Sequence, residues 1–314
     1  MKALIIGAAG FVGNYLMQHI HDSYDWDIAA TKLPQEALTC DYAHIYDLNI
    51  LEKDAVASLL EETQPDFIFY LAAQSSVYVS WKKPDLTVDI NIKGSLYLFD
   101  AIRDSGLNPK VLLIGSGEEY GHILPSQTPV TEQTLLTPGN IYAATKACQN
   151  MFGSIYARAY GLDIIMVRAF NHIGPNQSPT FVVSDFCRQV ALIEKGLQSP
   201  IIHVGNLSAQ RDFTDVRDVV RAYCLLVQFG QRGETYNIGS GHAVRIQSIL
   251  ESILKLSEEN IKVEIDEKKL RPVDVPIIEA DISKLTSCIA WEPSIPLEQT
   301  LKETLDYWRF AIKE

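Results

Sequence analysis

The tightest constraint on this chain lies in its first thirteen residues. The apolar run Lys2–Ile6 stops at Gly7-Ala8-Ala9-Gly10-Phe11-Val12-Gly13, and a helical apolar pattern starts inside that motif. Glycines at Gly7, Gly10 and Gly13 let backbone N–H groups at a helix N-terminus, including those of Phe11 and Val12, approach a pyrophosphate, with the helix dipole favouring the anion. A tight turn that simply needs small residues is the plainer reading of the same letters. The strand before the glycines and the helix after them favour a dinucleotide site.

The strand–helix rhythm continues. Short apolar runs DIAATK, HIYDLN, FIFYLAA, VLLIGS and DIIMVRAFN alternate with helical stretches, among them one from about 84 to 105 and one from about 140 to 160. Such alternation implies βαβ crossovers and an α/β fold with a Rossmann-like, doubly wound parallel sheet. After Asn171 the rhythm loosens at Pro175, Pro179 and Pro200, and the runs PIIHVGN, ETYNIGS and IKVEID are separated by helices at about 180–195, 216–229 and 245–256. The expected division is a dinucleotide-binding domain over 1–171 and a smaller α/β substrate region over 172–314. A helix near 214–230 is expected to return to the first domain.

Composition narrows the function classes. A formal net charge of −12 over 314 residues argues against nucleic acid as the main partner. No apolar run reaches the ~20 residues of a membrane span. Five scattered cysteines without CxxC spacing read as reduced structural thiols in a cytoplasmic protein, with no metal site expected.

An acidic residue about 20 positions past the glycines usually holds a ribose 2′-hydroxyl. Here that place reads Ala30-Thr31-Lys32, where a hydroxyl beside an ammonium suits a 2′-phosphate, so NADP(H) is preferred and NAD(H) remains possible. Lys32 as a plain solvated lysine is the alternative. Asp47, ending the third strand, is placed to accept from the adenine amino group or merely to cap the next turn.

The stretch KVLLIGSGEEYG sets a hydroxyl, Ser116, and two carboxylates, Glu118 and Glu119, at the end of an apolar strand. Ligands of open α/β sheets gather at such strand ends. Downstream, Tyr142 and Lys146 stand one helical turn apart on one face. A cation near a phenol stabilises its phenolate, and a Tyr so tuned exchanges a proton with a carbonyl or alcohol oxygen. Taken alone the pair is common; the preceding Ser116 makes it specific.

The pieces GAAGFVG, LAAQ (71–74), Asn91, the Ser116 strand end, YAATK and RDFTDVRD together resemble the extended short-chain dehydrogenase/reductase superfamily over essentially the full chain. Within it the chain is most similar to the reductases of GDP-4-keto-6-deoxy-mannose, through GSGEEYG, FNHIGPNQS (170–178), HVGNLSAQRDFTDVRD (203–218) and LRPVDVP (270–276). The resemblance implies a Ser116–Tyr142–Lys146 catalytic set. It also implies a cofactor lining that includes Leu48, Leu71, Ala72, Ala73, Ile114 and Phe170. A nucleotide-diphosphate sugar is implied at Arg211 and Arg271, whose guanidinium forks match phosphate oxygens. Asn171 is placed to donate to phosphate or sugar, and Asp274 to accept from ribose. His172 is either a supporting group or a satisfied core histidine, and Gln177 to Phe186 are expected along the base pocket. The implied reaction is reduction of a 4-keto-6-deoxy sugar, GDP-4-keto-6-deoxy-D-mannose to GDP-D-rhamnose.

Glu118 stands where related 4,6-dehydratases keep a base, while Gly117 lacks the acid some of them use. A dehydratase or epimerase with tightly bound cofactor is therefore the first alternative, and a non-catalytic dinucleotide-binding regulator a remote one. Glu118 may instead be a turn carboxylate or a sugar-orienting group. The resemblance further implies a homodimer through the helices near 84–105 and 142–160.

Overall fold

The computed structural model describes residues 1–270 and 275–313. The N-terminal half runs β1 (Lys2–Ile6), α1 (Phe11–Ser23), β2 (Asp27–Lys32), β3 (Ala43–Asp47), α2 (Lys53–Thr63), β4 (Phe67–Tyr70), α3 (Val77–Lys82) and α4 (Pro84–Val88). A π-type turn, Asp89–Lys93, joins α4 to α5 (Gly94–Ser105), followed by β5 (Lys110–Ile114), α6 (Ile141–Ala159) and β6 (Ile164–Ala169). Then come β7 (Asn171–Ile173), α7 (Val182–Glu194), β8 (Ile201–Val204), β9 (Gln210–Asp215), α8 (Val216–Phe229) and β10 (Thr235–Ile238). The chain closes with β11 (Ala243–Arg245), α9 (Ile246–Leu254), β12 (Lys262–Ile265), β13 (Ile277–Ile278), α10 (Ser283–Cys288) and α11 (Leu297–Ala311).

Seven parallel strands form the main sheet in the order β10-β6-β5-β4-β1-β2-β3. Because both faces are covered, the central strands are apolar on both sides, as KALII and KVLLI are. One face packs on α1 and α8 through Leu16, Met17, Ile20, Val219, Tyr223 and Leu226. The other packs on α2, α5 and α6 through Val56, Leu59, Leu98, Phe99, Ile102 and Ala157. This is a Rossmann-like sheet. Its strand order reverses between β1 and β4, and ligands of such sheets bind at that reversal.

The C-terminal elements build two small sheets. One contains β11, β9 and β13 with β7 paired to β9, and the other is β12 with β8. Their core lies among Val183, Phe186, Ile202, Ile249, Leu301 and Leu305.

One element departs from the sequence reading. ETYNIGS was assigned to the C-terminal region, but Thr235–Ile238 pairs parallel with β6 and forms the seventh strand of the main sheet. Its last three residues are buried, and Tyr236 and Ile238 join the core under α8. The main sheet therefore draws on chain beyond 171, and α8, the helix expected to return, lies against α1.

The motif RDFTDVRD is mostly structural. Asp212 accepts from Ser240, Gly241 and Ala280, and Asp215 caps α8 and holds Arg217 and Thr300. Asp218 accepts from Ser294, Ile295 and Arg221. Three buried carboxylates thus tie β9 and α8 to segments that follow them. No helix among the described residues is long and apolar enough to cross a membrane.

Candidate active site

Gly7 takes φ +87°, and a Cβ there would lie 2.8 Å from the Ala72 backbone, so only glycine lets β1 turn this close to the end of β4. Gly13 is buried, and a Cβ on it would lie 2.3 Å from the Ala8 carbonyl oxygen, so its role is close packing of α1 on the turn. Helix α1 opens at Gly10 with no side-chain cap and no carboxylate in its first turn. The N–H groups of that turn, at Phe11 and Val12, are therefore suited to an anion, and the residues present fit a bound pyrophosphate.

Thr31 does not play the role expected of it. It is 1% exposed, and its hydroxyl accepts from the Gly7 N–H at 3.0 Å while its carbonyl accepts from Ala8 N–H at 2.8 Å. Thr31 shapes the glycine turn from beneath and has no surface for a 2′-phosphate. Lys32 has such surface, and its ammonium is paired with Asp47 Oδ1 at 2.5 Å. The two residues read separately, one for phosphate and one for adenine, form one ion pair at the outer edge of the site.

Leu71, Ala72, Ala73 and Ile114 are half-buried where β4 and β5 end, on the same edge of the sheet as the glycine turn. Leu48 and Phe170, also expected along the cofactor, are each only 5% exposed. Phe170 lies under Gly117, where a Cβ would come within 3.2 Å of its ring. Leu48 packs in the core with Val56 and Leu59, Phe170 packs with Tyr120, and both offer little contact surface.

At the end of β5, Ser116 caps a short 3-10 turn, Gly117–Tyr120. Its Oγ accepts from Glu118 N–H at 3.2 Å, and its own N–H donates to Glu119 Oε1 at 2.8 Å. Asn140 caps α6, and the helix carries Tyr142 and Lys146 into the site. Asn91, in the π-type turn, donates to the Gln74 carbonyl and to Thr145, and accepts from Gln74 N–H. Thr145 in turn donates to the Tyr142 carbonyl, so the loop after β4 and α6 are held together.

Tyr142 is buried, and Ser116 is among the groups that act on its phenol. Burial raises the phenol's pKa well above the ordinary tyrosine value; the Ser116 contact opposes that rise, and the carboxylates of Glu118 and Glu119 add to it. Lys146 stands apart from this balance. Its ammonium donates to the Ile114 carbonyl at 2.7 Å and to Gln149 Oε1 at 2.9 Å, and does not bond the phenol. The helical spacing predicted a cation stabilising the phenolate; instead Lys146 bonds elsewhere and burial of Tyr142 favours the phenol. Burial also pulls Lys146 down to about 8, with Glu119 pulling the other way.

Glu118 is partly exposed, and its Oε2 accepts from Asn140 Nδ2 at 3.2 Å, two residues before Tyr142. Glu119, the second carboxylate of that strand end, is fully buried and pairs with Arg168 Nε at 3.0 Å. Gln149 and Arg168 were not singled out at all. The Ser116-x-x-Glu119 spacing is a capping-box signature that pointed to Glu119; nothing local to the sequence marked its partner on β6.

On the substrate side Asn171 is exposed on β7, with its amide 3.4 Å from the Asp212 carbonyl. Arg211 on β9 donates to the carbonyls of Gln210 and Val275. Arg271 and Asp274 lie outside the described residues. His172 stacks on Phe11 and contacts the Phe170 carbonyl, and burial lowers its pKa, so it is a neutral packing histidine. Of the stretch expected along the base pocket, Gln177, Ser184 and Phe186 are buried in packing, while Ser178 to Val182 are exposed.

A glycine turn at the strand-order reversal, with a serine, a tyrosine and a lysine gathered on the same sheet edge, defines a nucleotide-dependent enzyme of the short-chain dehydrogenase/reductase class. The chain belongs to the GDP-mannose 4,6 dehydratase family, whose sequence profile matches residues 4–304. GDP-6-deoxy-D-mannose reductase of Pseudomonas aeruginosa is 30% identical over 313 residues, covering 100% of this chain and 99% of that protein. The solved structure of RMD from Pseudomonas aeruginosa complexed with NADPH matches with a TM-score of 0.89 at 28% identity, covering 99% of this chain and 100% of that one. UDP-glucose 4-epimerase of Thermus thermophilus complexed with NAD matches with a TM-score of 0.87 at 25% identity, covering 99% and 100%. Reductase, dehydratase and epimerase names thus attach to one architecture, that of NAD(P)-dependent nucleotide-sugar enzymes.

The burial of Lys146 yields a direct expectation. Titration of the lysine side chains by NMR in the ligand-free protein should give one midpoint near 8, absent from Lys146→Met. A Lys146 midpoint at the ordinary lysine value contradicts the assignment.

Proposed function

We propose that the protein reduces the 4-keto group of a nucleotide-diphosphate 4-keto-6-deoxy sugar, with GDP-4-keto-6-deoxy-D-mannose as substrate and GDP-D-rhamnose as product. The observation that carries the reductive direction is similarity over both full lengths to a reductase of the GDP-linked sugar. Tyr142, a buried phenol on the same sheet edge as Ser116, is the proton donor of this reading.

The glycine turn and the Phe11 and Val12 N–H groups would hold the pyrophosphate of NADPH, which when bound would supply a hydride to C4 of the sugar. Ser116 donates to the carbonyl oxygen and fixes its position. Tyr142 passes its phenolic proton to that oxygen as negative charge develops there, and solvent returns a proton to the tyrosine afterwards. Lys146, anchored to the end of β5 through the Ile114 carbonyl, keeps a positive charge at the sheet edge below its pKa of about 8. Lys32, already drawn to the rim by Asp47, is the group we assign to a 2′-phosphate, which favours NADPH over NADH. Arg211 is assigned to the diphosphate and Asn171 to a neighbouring oxygen. Arg271 and Asp274 keep the roles implied by resemblance.

One observation favours a dehydratase instead. Glu118 sits at the mouth beside Tyr142, braced by Asn140, as a base for a C5 proton would be. Against it, Gly117 supplies no acid to protonate a leaving hydroxyl. With the 4-keto sugar and NADPH deuterated at the transferred position, one cofactor should be consumed per product, with deuterium at C4 of the sugar. The same assay with NADH should run more slowly. Product formed without net loss of NADPH overturns the reductase reading.

A homodimer is part of this proposal. Leu86 and Val88 on α4, and Met151 and Ile155 on α6, are exposed apolar side chains on the helices assigned to the interface. The protein should sediment as a dimer and Ile155→Asp as a monomer. A monomeric parent contradicts the assignment.

A further inference from the structure

We propose that Glu119 is a positioning residue, whose buried carboxylate holds the backbone of Ser116, and with it the serine hydroxyl, in place opposite Tyr142. The inference rests on the reading of Ser116 and Tyr142 given above.

The carboxylate lies flush against the end of β5. Its Oε1 accepts from Ser116 N–H at 2.8 Å, and a Cβ on Gly115 would come within 2.3 Å of the same oxygen. Its Oε2 accepts from Arg168 Nε at 3.0 Å. Arg168 is fixed in turn, donating to the Tyr120 hydroxyl and to the Glu132 carbonyl, both at 3.1 Å. Tyr120 donates to Asn237 Oδ1 at 2.6 Å, and Asn237 N–H donates to the Glu132 carboxylate at 2.8 Å. A chain of hydrogen bonds therefore runs from the Ser116 amide across β6 to β10. Its first link leaves the residue that carries the reacting hydroxyl.

Stability alone does not account for a charge here. Replacing a buried ion pair with well-packed apolar side chains is often neutral or stabilising. An apolar side chain at 119 cannot accept from Ser116 N–H. A backbone free to drift there moves the hydroxyl away from the carbonyl it must hold, and a displacement of about 1 Å at a reacting group costs about 10²-fold in rate.

Two conservative variants separate positioning from plain ion pairing. Glu119→Gln keeps the side-chain length and an oxygen for Ser116 N–H but loses the charge that Arg168 pairs with. Glu119→Asp keeps the charge but is one methylene short of the Ser116 amide. Positioning predicts that E119D loses kcat by about 10²-fold, with both KM values held within about three-fold, while E119Q stays within about ten-fold of the parent despite a lower melting temperature. An ion pair that serves only the fold predicts lower melting temperatures in both variants, since the shorter carboxylate also draws away from Arg168 Nε, with kcat near the parent in each. Equal kcat in all three proteins, or E119Q hit harder than E119D, overturns the proposal.

Amide hydrogen exchange at Ser116 gives a readout independent of turnover. Protection should persist in the parent and in E119Q and drop at least about ten-fold in E119D. Unchanged protection in E119D overturns the proposal. A parent that exchanges as expected but turns over no 4-keto sugar sinks the proposed function and leaves the positioning role standing.

Discussion

A parallel sheet points the carboxyl end of every strand at the same edge, and the whole site follows from that directional constraint. Backbone groups at the edge have no further strand to pair with, so each must be met by a turn, a cap or a ligand. At β1 the glycine turn meets it, with Thr31 accepting from Gly7 N–H beneath. At β5 it is met by Lys146 on the Ile114 carbonyl and by Glu119 on the Ser116 amide. The glycine turn and the Ser116 strand end therefore lie on one edge of the sheet, on either side of the strand-order reversal between β1 and β4.

Burial sets the chemical character of that edge. Tyr142, Lys146 and Glu119 are all withdrawn from water, and in each the neutral form is favoured by desolvation. For Tyr142 this keeps the proton on the phenol, the form a reductive step consumes. The positive charge expected to favour the phenolate is spent on the end of β5 and on Gln149.

Much of this was legible in the letters. The glycine turn, the alternating strands and the Ser116, Tyr142 and Lys146 set are local patterns, each with a period or spacing a sequence displays directly. Thr31 was misjudged because a sequence does not show which way a strand residue points, and this hydroxyl points down into the glycine turn. The strand Thr235–Ile238 was placed in the wrong layer because pairing with β6 is a long-range choice that four residues do not announce. Glu119 lay in between. Its capping spacing from Ser116 was visible, but Arg168, which makes it a buried ion pair, comes from another strand.

The account stands or falls on Tyr142 as the proton donor. The most direct measurement is single-turnover reduction of the 4-keto sugar by Tyr142→Phe, with NADPH affinity followed separately by fluorescence. The account predicts a rate lower by about 10²–10⁴-fold with cofactor affinity unchanged, as expected for loss of a general acid. A rate within a few-fold of the parent would contradict it.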